Sequence, residues 1–453
     1  MSRTAATAMQ FDRSHQLRAK AHHCIPGGCH SYSKGDDQYP QLSPGFIARG
    51  HGSHVWDVDG NEFIEYGMGN RCVTLGHAFP AVIEAAAAEL TQGCNFTRPA
   101  EIEVRAAETL QQLIPTAEMV KFCKNGSDAT TAAIKLARAS TGRDRIACCR
   151  DQPFFASNDW FMGTTPLDAG IPQSTKDLTL RFSYNDLVDV RRLFAQHPDS
   201  IAALILEPAK YEDPRDGFLH QVQALCHAHG ALFILDELIT GFRWDNGGGQ
   251  AAYGVDPDLS CWGKALGNGF AVSALTGKRQ YMELGGLDHE RERVFLLSTT
   301  HGAETHALAA AIATMQTYQR EPVIETLYAR GRRLQHEGTQ VIAAHGLQDQ
   351  IQIIGRPCCL TYTTRDASGA PSLELRSLLL QETIRRGVLM SSLVVSYTHT
   401  AEDIDRTIEA LDGALAIYRR ALEQGVDGYL IGRPAQPLYR RYNTAPTTPP
   451  AGD

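Results

Sequence analysis

The stretch Ala231-Leu232-Phe233-Ile234-Leu235-Asp236-Glu237 is a short apolar run that ends in two acidic residues. Similar apolar runs and helical patterns precede it, with strands predicted at 119–123, 146–149, 202–206 and 231–235 and helices at 128–139 and 222–229. Strands that alternate with helices in this way favour a parallel, doubly wound α/β sheet. Because ligands bind beyond the carboxyl ends of the strands in such sheets, we expect Asp236 to lie at a binding site.

Shorter patterns on either side predict further units. Strands are expected within 47–66 and at 351–354, 360–363 and 394–397, and helices at 81–91, 100–113, 374–386 and 402–421. A long Ala-rich stretch, 304–332, predicts one helix that leaves the large domain. We therefore expect an N-terminal segment (1–68) that joins a small α+β domain (321–432), a large α/β domain (69–320), and a mobile tail rich in Pro and Thr (433–453).

Composition excludes several classes of protein. The 453 residues include 43 Lys and Arg against 51 Asp and Glu, and this net charge of −8 argues against nucleic acid as a partner. The longest aliphatic run, Ile201–Leu206, is far shorter than the roughly 20 residues of a membrane-spanning helix. The start of the sequence lacks the apolar core of a secretory signal. Eleven cysteines, four of them in adjacent pairs, favour reduced thiols. We expect a cytoplasmic protein with no membrane partner.

Two charged residues carry the strongest chemical signal. Lys264 follows Asp236 by 28 residues and lies in Trp262-Gly263-Lys264-Ala265-Leu266-Gly267, among small residues that let a bulky group approach. A lysine in a low-dielectric position loses its proton more easily and can act as an amine nucleophile. Each residue alone has a structural alternative, since Asp236 could cap a helix and Lys264 could be solvated.

Two hydroxyl-rich turns indicate phosphate binding. Gly126 and Ser127 stand between a predicted strand and a predicted helix, where free backbone N–H groups and the helix dipole attract anions. The same residues also suit an ordinary helix cap. Ser298-Thr299-Thr300-His301-Gly302 is a second, weaker candidate.

Together these motifs resemble the class III aminotransferases, which bind pyridoxal phosphate (PLP), and most closely the glutamate-1-semialdehyde aminomutase branch. The resemblance extends from 25–28 through 55–61, 75–77, 183–187, 235–243 and 257–264 to 402–405. It implies a fold-type-I PLP enzyme. Such a fold has a large domain with a mostly parallel, seven-stranded-type sheet and a smaller α+β domain.

The resemblance also implies a role for each matching residue. Lys264 would bond the cofactor covalently and move the substrate proton, and Asp236 would keep the pyridine nitrogen protonated. Gly126 and Ser127 would bind the phosphate. Thr300 would reach the phosphate of the neighbouring subunit, so the active unit would be a homodimer.

Two further positions near the cofactor are implied with less direct matches. Glu207 matches an acidic residue near the cofactor ring, although a structural carboxylate at a strand end fits equally well. The relatives carry a Tyr-His-Gly motif where this chain has Pro153-Phe154-Phe155. Phe154 would stack on the ring without hydrogen bonding.

This sequence departs from the aminomutase pattern at positions that are expected to contact the substrate. Lys34 stands where the aminomutases place an arginine that binds the substrate carboxylate, and it lacks the bidentate fork. The stretch 160–183, a mobile lid in the aminomutases, is shorter here. Arg71 and Arg243 are candidates for binding the carboxylate of an amino donor. We therefore predict a ping-pong aminotransferase that moves an amino group from a donor such as glutamate to a keto or aldehyde acceptor, with an intramolecular 2,1-aminomutase as the alternative.

A metal site is a competing interpretation of His22-His23-Cys24-Ile25-Pro26-Gly27-Gly28-Cys29-His30. These are zinc-ligand types, but the spacing is loose and no second ligand pair follows. We expect no metal.

Overall fold

The computed structural model describes residues 9–153 and 156–443. Its strands are β1 (Ile47–His51), β2 (His54–Asp57), β3 (Glu62–Glu65), β4 (Met119–Cys123), β5 (Arg145–Cys149), β6 (Thr179–Phe182), β7 (Ile201–Leu206), β8 (Leu232–Asp236), β9 (Leu259–Trp262), β10 (Ser273–Gly277), β11 (Ile351–Ile354), β12 (Thr361–Thr364) and β13 (Val388–Leu389). Its helices are α1 (Asp12–Cys24), α2 (Met68–Arg71), α3 (Pro80–Leu90), α4 (Glu101–Leu113), α5 (Gly126–Thr141), α6 (Asp159–Met162), α7 (Gln173–Lys176), α8 (Leu187–Gln196), α9 (Phe218–Ala228), α10 (Gly248–Tyr253), α11 (Arg279–Met282), α12 (Thr305–Arg320), α13 (Val323–Ala344), α14 (Leu373–Ile384) and α15 (Ala401–Gln424).

A seven-stranded sheet forms the centre of the large α/β unit, with the order β4-β10-β9-β8-β7-β5-β6. Pairs from β9 through β8, β7 and β5 to β6 are parallel, whereas β10 runs antiparallel to both β4 and β9. Every residue of β7 and β8 is buried, because helices cover both faces of the sheet. This architecture confirms the predicted fold class.

The N-terminal and C-terminal segments share a second sheet. Its order is β1-β2-β3-β13, and β13 pairs in parallel with β3 although more than 300 residues separate them. Strands β11 and β12 form a separate antiparallel pair, against which α13 packs. The two ends of the chain therefore build one structural unit next to the large sheet.

Two predicted elements are wrong. The stretch 304–332 is two helices, since Glu321 is extended (φ −121°, ψ 149°) before Pro322, whose ring disfavours a helical residue in front of it. The strand predicted at 394–397 is an irregular buried segment. There, Val394 N donates to the carbonyl of Tyr66 and Tyr397 N to that of Thr74, and Val395 is fully buried. The segment has an apolar sequence because it is buried, although it does not pair as a strand in a sheet.

The predicted mobile tail makes ordered contacts over its first part. Ala435 is buried and its N–H donates to Ser377 Oγ at 2.8 Å, and Gln436 N donates to the carbonyl of Asp37 at 2.8 Å. Residues 444–453 lie outside the described part of the chain.

His399 should make the fold sensitive to acid. It is fully buried, it packs on Tyr66 with ring centroids 4.5 Å apart, and its Nδ1 accepts from Ser396 N at 2.9 Å. Burial lowers the pKa of His399 from 6.5 to about 3. Between these two values the unfolded chain binds a proton that the folded chain does not, so stability falls as the pH falls through this range.

We expect this group to remove about 1.4 kcal/mol of unfolding free energy for each pH unit between pH 6 and pH 4. His54 acts in the opposite direction, since Asp403 raises its pKa. Urea unfolding of the wild type and His399→Asn across this range isolates the contribution of His399. The variant should be less stable at pH 7 but lose less stability on acidification; parallel curves would contradict the assignment.

Candidate active site

Asp236 and Lys264 meet at the carboxyl edge of the large sheet. Asp236 is the last residue of β8 and is the partner of Cys261 in β9, and Lys264 comes three residues after that cysteine. Lys264 has a positive φ of 46°, a conformation that is uncommon outside glycine. Gly263 lets this turn pass close to its neighbours, since a Cβ there would lie 2.5 Å from Ser273 Oγ. The turn thus holds Lys264 in a fixed, strained position.

Lys264 has the environment of a nucleophilic amine. Within the described residues its ammonium has no hydrogen bond and no ion pair, although the side chain is half-buried. Burial lowers the pKa of Lys264, and the negative charges of Asp236 and Glu207 oppose this shift. The neutral amine is therefore more accessible here than in water.

Asp236 is a buried acid that lacks a full set of partners. Its side chain is 3% exposed, and Oδ1 accepts a hydrogen bond from Leu238 N at 3.0 Å. Burial raises the pKa of Asp236 to about 6, with the charge of Glu207 adding to the effect and that of Lys264 opposing it. Such a carboxylate stabilises any cation that enters the site beside it.

Glu207 follows β7 directly and brings a second acid to the same edge. Its side chain is buried, Oε1 accepts from Lys210 Nζ at 2.8 Å, and Oε2 has no partner within the described residues. Lys210 also donates to the carbonyl of Pro153 at 2.7 Å. The sequence analysis missed Lys210. Its spacing of three residues from Glu207, across the turn at Pro208, was the only available signal.

Gly126 and Ser127 lie at the start of α5, directly after β4. The first N–H groups of a helix have no partner inside the helix, and the macrodipole of these 16 residues favours an anion there. Glycine at 126 leaves room for Leu238, since a Cβ there would lie 2.3 Å from Leu238 Cδ1 and would displace this side chain. Asn158 Nδ2 donates to the carbonyl of Ser127 at 3.0 Å. Phe154, predicted to stack on the cofactor ring, lies outside the described residues.

Thr300 lies in an exposed turn of the single chain. Its carbonyl accepts a hydrogen bond from Asn95 Nδ2 at 3.1 Å. Its exposure leaves it available to a second subunit.

Arg71 is carried into the site by an unusual loop. Met68, Asn70 and Arg71 all have positive φ angles, which form a tight turn after β3. The side chains of Cys359, Tyr211 and Glu207 influence its guanidinium. Burial alone would lower the pKa of Arg71, but the charges of these three groups outweigh it and raise the pKa. Arg71 forms no ion pair within the described residues and is therefore able to bind an external anion.

Arg243 supports this loop. It is fully buried, Nη2 donates to the carbonyl of Arg71 at 2.5 Å and to Thr74 Oγ1 at 3.1 Å, and Nη1 donates to the carbonyl of Ile239. These contacts differ from the predicted substrate-binding role. With its donors used in this way, Arg243 positions Arg71.

Lys34 lies at the rim of the site in an exposed turn. Asn70 Nδ2 donates to the neighbouring Ser33 Oγ at 3.0 Å, which ties this turn to the Arg71 loop. Burial raises the pKa of the Cys72 thiol, and the charges of Lys34 and Lys264 oppose it.

The His/Cys segment at 22–30 shows no metal-binding geometry. Across the described residues no group of three His, Cys, Asp or Glu side chains is placed to hold a metal ion. Within the segment, His22 Nε2 forms a hydrogen bond with Asp36 Oδ1 at 3.0 Å and Cys29 Sγ donates to the carbonyl of Ser31.

In the described part of the chain, no helix has both the length and the hydropathy needed to cross a membrane.

The fold and these groups define a class of enzyme: a doubly wound α/β protein with a low-pKa lysine, a buried acid and a helix N-terminus at one sheet edge. The family model for class-III aminotransferases matches residues 35–415. The chain is 33% identical to the glutamate-1-semialdehyde 2,1-aminomutase of Desulforamulus reducens, covering 89% of this chain and 97% of the relative. It is 30% identical to the 3-aminobutyryl-CoA aminotransferase of Cloacimonas acidaminovorans, covering 92% and 100%.

A solved structure agrees with these relatives. The PLP internal aldimine form of the Sphingopyxis sp. MTA144 FumI protein superimposes with a TM-score of 0.84 at 29% identity, covering 91% of this chain and 98% of that chain. The protein belongs to the class-III aminotransferase family, and it is an enzyme that uses PLP.

The residues present fit this cofactor. The Lys264 amine, which has no partner among the described residues, suits the cofactor aldehyde. Asp236, whose Oδ1 accepts from Leu238 N, suits a protonated ring nitrogen. Glu207 Oε2 is a buried acceptor that has no partner in the described part of the chain. The α5 N-terminus suits the phosphate.

Proposed function

We propose that this enzyme is a ping-pong transaminase that takes an amino group from an amino acid donor, glutamate in the first instance, and delivers it to a keto or aldehyde acceptor. Lys264 carries the proposal, since it is a neutralisable amine beside a buried acid at the ligand-binding edge of the sheet. When bound, PLP supplies an aldehyde that takes up the amino group and a ring that withdraws electrons from the substrate Cα.

The side chains of the site divide this work. Lys264 holds the cofactor covalently at rest and moves the proton at the substrate Cα once it is released. Asp236 keeps the pyridine nitrogen protonated. Burial raises the pKa of Asp236, and a cation beside it favours the ionised carboxylate that this role needs. Gly126 and Ser127 would hold the phosphate, and Glu207 would supply an acidic group near the cofactor ring.

Arg71 binds the carboxylate of the substrate. It is a half-buried guanidinium without an ion pair in the described part of the chain, and a planar fork of donors matches a carboxylate. Lys34, in an exposed turn tied to the Arg71 loop, recognises a more distant anionic or polar group of the acceptor.

The active unit we propose is a homodimer in which Thr300 reaches the phosphate in the other subunit. Its exposed turn in the single chain supports this proposal.

The location we propose is the cytoplasm. The eleven cysteines are all free, which suits this reducing compartment.

The 2,1-aminomutase remains a second candidate because several relatives carry that name. An aminomutase must retain its intermediate, whereas a transaminase must release its keto product. Product release therefore separates the two.

Excess glutamate without an acceptor tests the transaminase. We expect the yellow absorbance of the lysine-bound cofactor to disappear and 2-oxoglutarate to appear in proportion to enzyme. An unchanged spectrum would exclude glutamate as donor, and glutamate-1-semialdehyde would then be the next substrate to add. A protein with no yellow absorbance after incubation with PLP would refute the role of Lys264.

A further inference from the structure

The residues 298–304, here named the Thr300 turn, lie next to the end of β4. A Cβ added at Gly302 would be 3.7 Å from the carbonyl oxygen of Phe122, the fourth residue of that strand. Asn95 Nδ2 donates to the carbonyl of Thr300 at 3.1 Å. The Thr300 turn is therefore held beside the residues that follow β4.

An ion pair joins this turn to the start of α5. Lys124, two residues before Gly126, pairs through Nζ with Glu304 Oε2. Both side chains are partly buried, with 22% and 18% of their surface exposed. Lys124 Nζ also donates to the carbonyl of Ala271 at 3.3 Å, and Glu304 Oε1 lies 3.2 Å from His301 Nδ1. Each of the two side chains is thus fixed by the other and by a second neighbour.

Glu304 is an acid close to a turn that suits an anion. It is the residue before α12, but its side chain does not cap that helix. The hydrogen bond from Lys124 lowers the pKa of Glu304, so the carboxylate is ionised at neutral pH. A negative charge near the start of α5 repels a phosphate. Electrostatic attraction of the anion therefore does not explain Glu304, whereas its contacts with Lys124 and His301 do.

We propose that Glu304 and Lys124 are positioning residues for the cofactor phosphate, whose ion pair fixes the Thr300 turn where the Thr300 hydroxyl reaches the phosphate in the other subunit. This inference rests on the proposed function, since Thr300 must bind that phosphate. A donor that is already held in place loses little freedom when the phosphate binds, so breaking the pair weakens phosphate binding.

PLP and pyridoxal test this, because the two aldehydes differ only in the phosphate. We would titrate the cofactor-free protein with each compound, follow the yellow absorbance of the lysine-bound aldehyde, and derive the half-saturating concentration. The variants are Glu304→Gln, Lys124→Met, the double variant and Thr300→Val. Glu283→Gln is the matched control, since Glu283 forms an exposed ion pair with Arg279.

We expect Glu304→Gln to raise the half-saturating concentration of PLP about tenfold, because a hydrogen bond to a charged group is lost, and to leave that of pyridoxal within twofold. Thr300→Val should have the same effect. Lys124→Met should weaken PLP at least as much, and the double variant no more than Lys124→Met, since either substitution breaks the same pair. Glu283→Gln should change neither compound.

Tighter PLP binding in Glu304→Gln would show that Glu304 acts only by repelling the phosphate, and would overturn the proposal. Equal weakening of PLP and pyridoxal would overturn it too, because the effect would then be on the fold in general. If Thr300→Val weakens PLP alone and Glu304→Gln does not, the positioning role is wrong and the proposed function stands. If Thr300→Val leaves PLP unchanged, the proposal fails together with the phosphate role of Thr300. A wild type without yellow absorbance in PLP would refute the proposed function itself.

Discussion

Lys264→Ala is expected to lose more than about 10⁴-fold in turnover, because one side chain supplies both the covalent attachment and the proton transfer at Cα. The variant should still bind PLP, since the α5 N-terminus and Asp236 remain in place. The substitution changes the backbone strain at this positive φ of 46° only slightly, so the fold should persist.

Single-turnover absorbance with glutamate and a dialysis assay for retained cofactor measure these two effects separately. Lys121→Ala, on the exposed face of β4, is the matched control and should match the wild type. Turnover within tenfold of the wild type in Lys264→Ala would refute the mechanism. Loss of cofactor binding together with activity would instead show that the covalent bond dominates affinity.

Asp236→Asn is expected to slow Cα deprotonation by about 10²-fold or more, since the ring nitrogen loses the charge that keeps it protonated. The amide can still accept the hydrogen bond from Leu238 N, so the local structure is retained. Deuterium exchange at Cα of glutamate reports this step directly.

The same substitution should stabilise the cofactor-free protein at neutral pH. Burial raises the pKa of Asp236 from 3.8 to about 6, so the folded state holds an unfavourable carboxylate above pH 6 and this cost disappears as the pH falls towards 4. Urea unfolding of the wild type and Asp236→Asn at pH 7.5 and pH 4.5 compares the ionised and neutral states of Asp236. Asp256→Asn, at an exposed position, controls for loss of charge. If Asp236→Asn slows Cα deprotonation but lowers the free energy of unfolding equally at both pH values, the role of Asp236 is structural.

Local sequence determined the elements and the chemistry at their ends. Alternating apolar runs placed β4, β5, β7 and β8 to within a residue or two, because strands buried on both faces need continuous apolar side chains. The same logic placed Asp236 at the carboxyl edge of the sheet, where parallel strands bring their ends together. Polarity alone could not distinguish the buried segment at 394–397 from a strand, since ladder pairing depends on distant partners.

Only the tertiary structure decided which distant side chains meet around that edge. Arg243 is a predicted substrate ligand by its residue type, yet its contacts with the carbonyl of Arg71 make it a support for that loop. Lys210 carries no motif, and it reaches Glu207 across a turn. The sequence pattern predicts which residues are buried and which turns are tight. Contacts between distant segments follow from the packing of the whole chain, which no short stretch encodes.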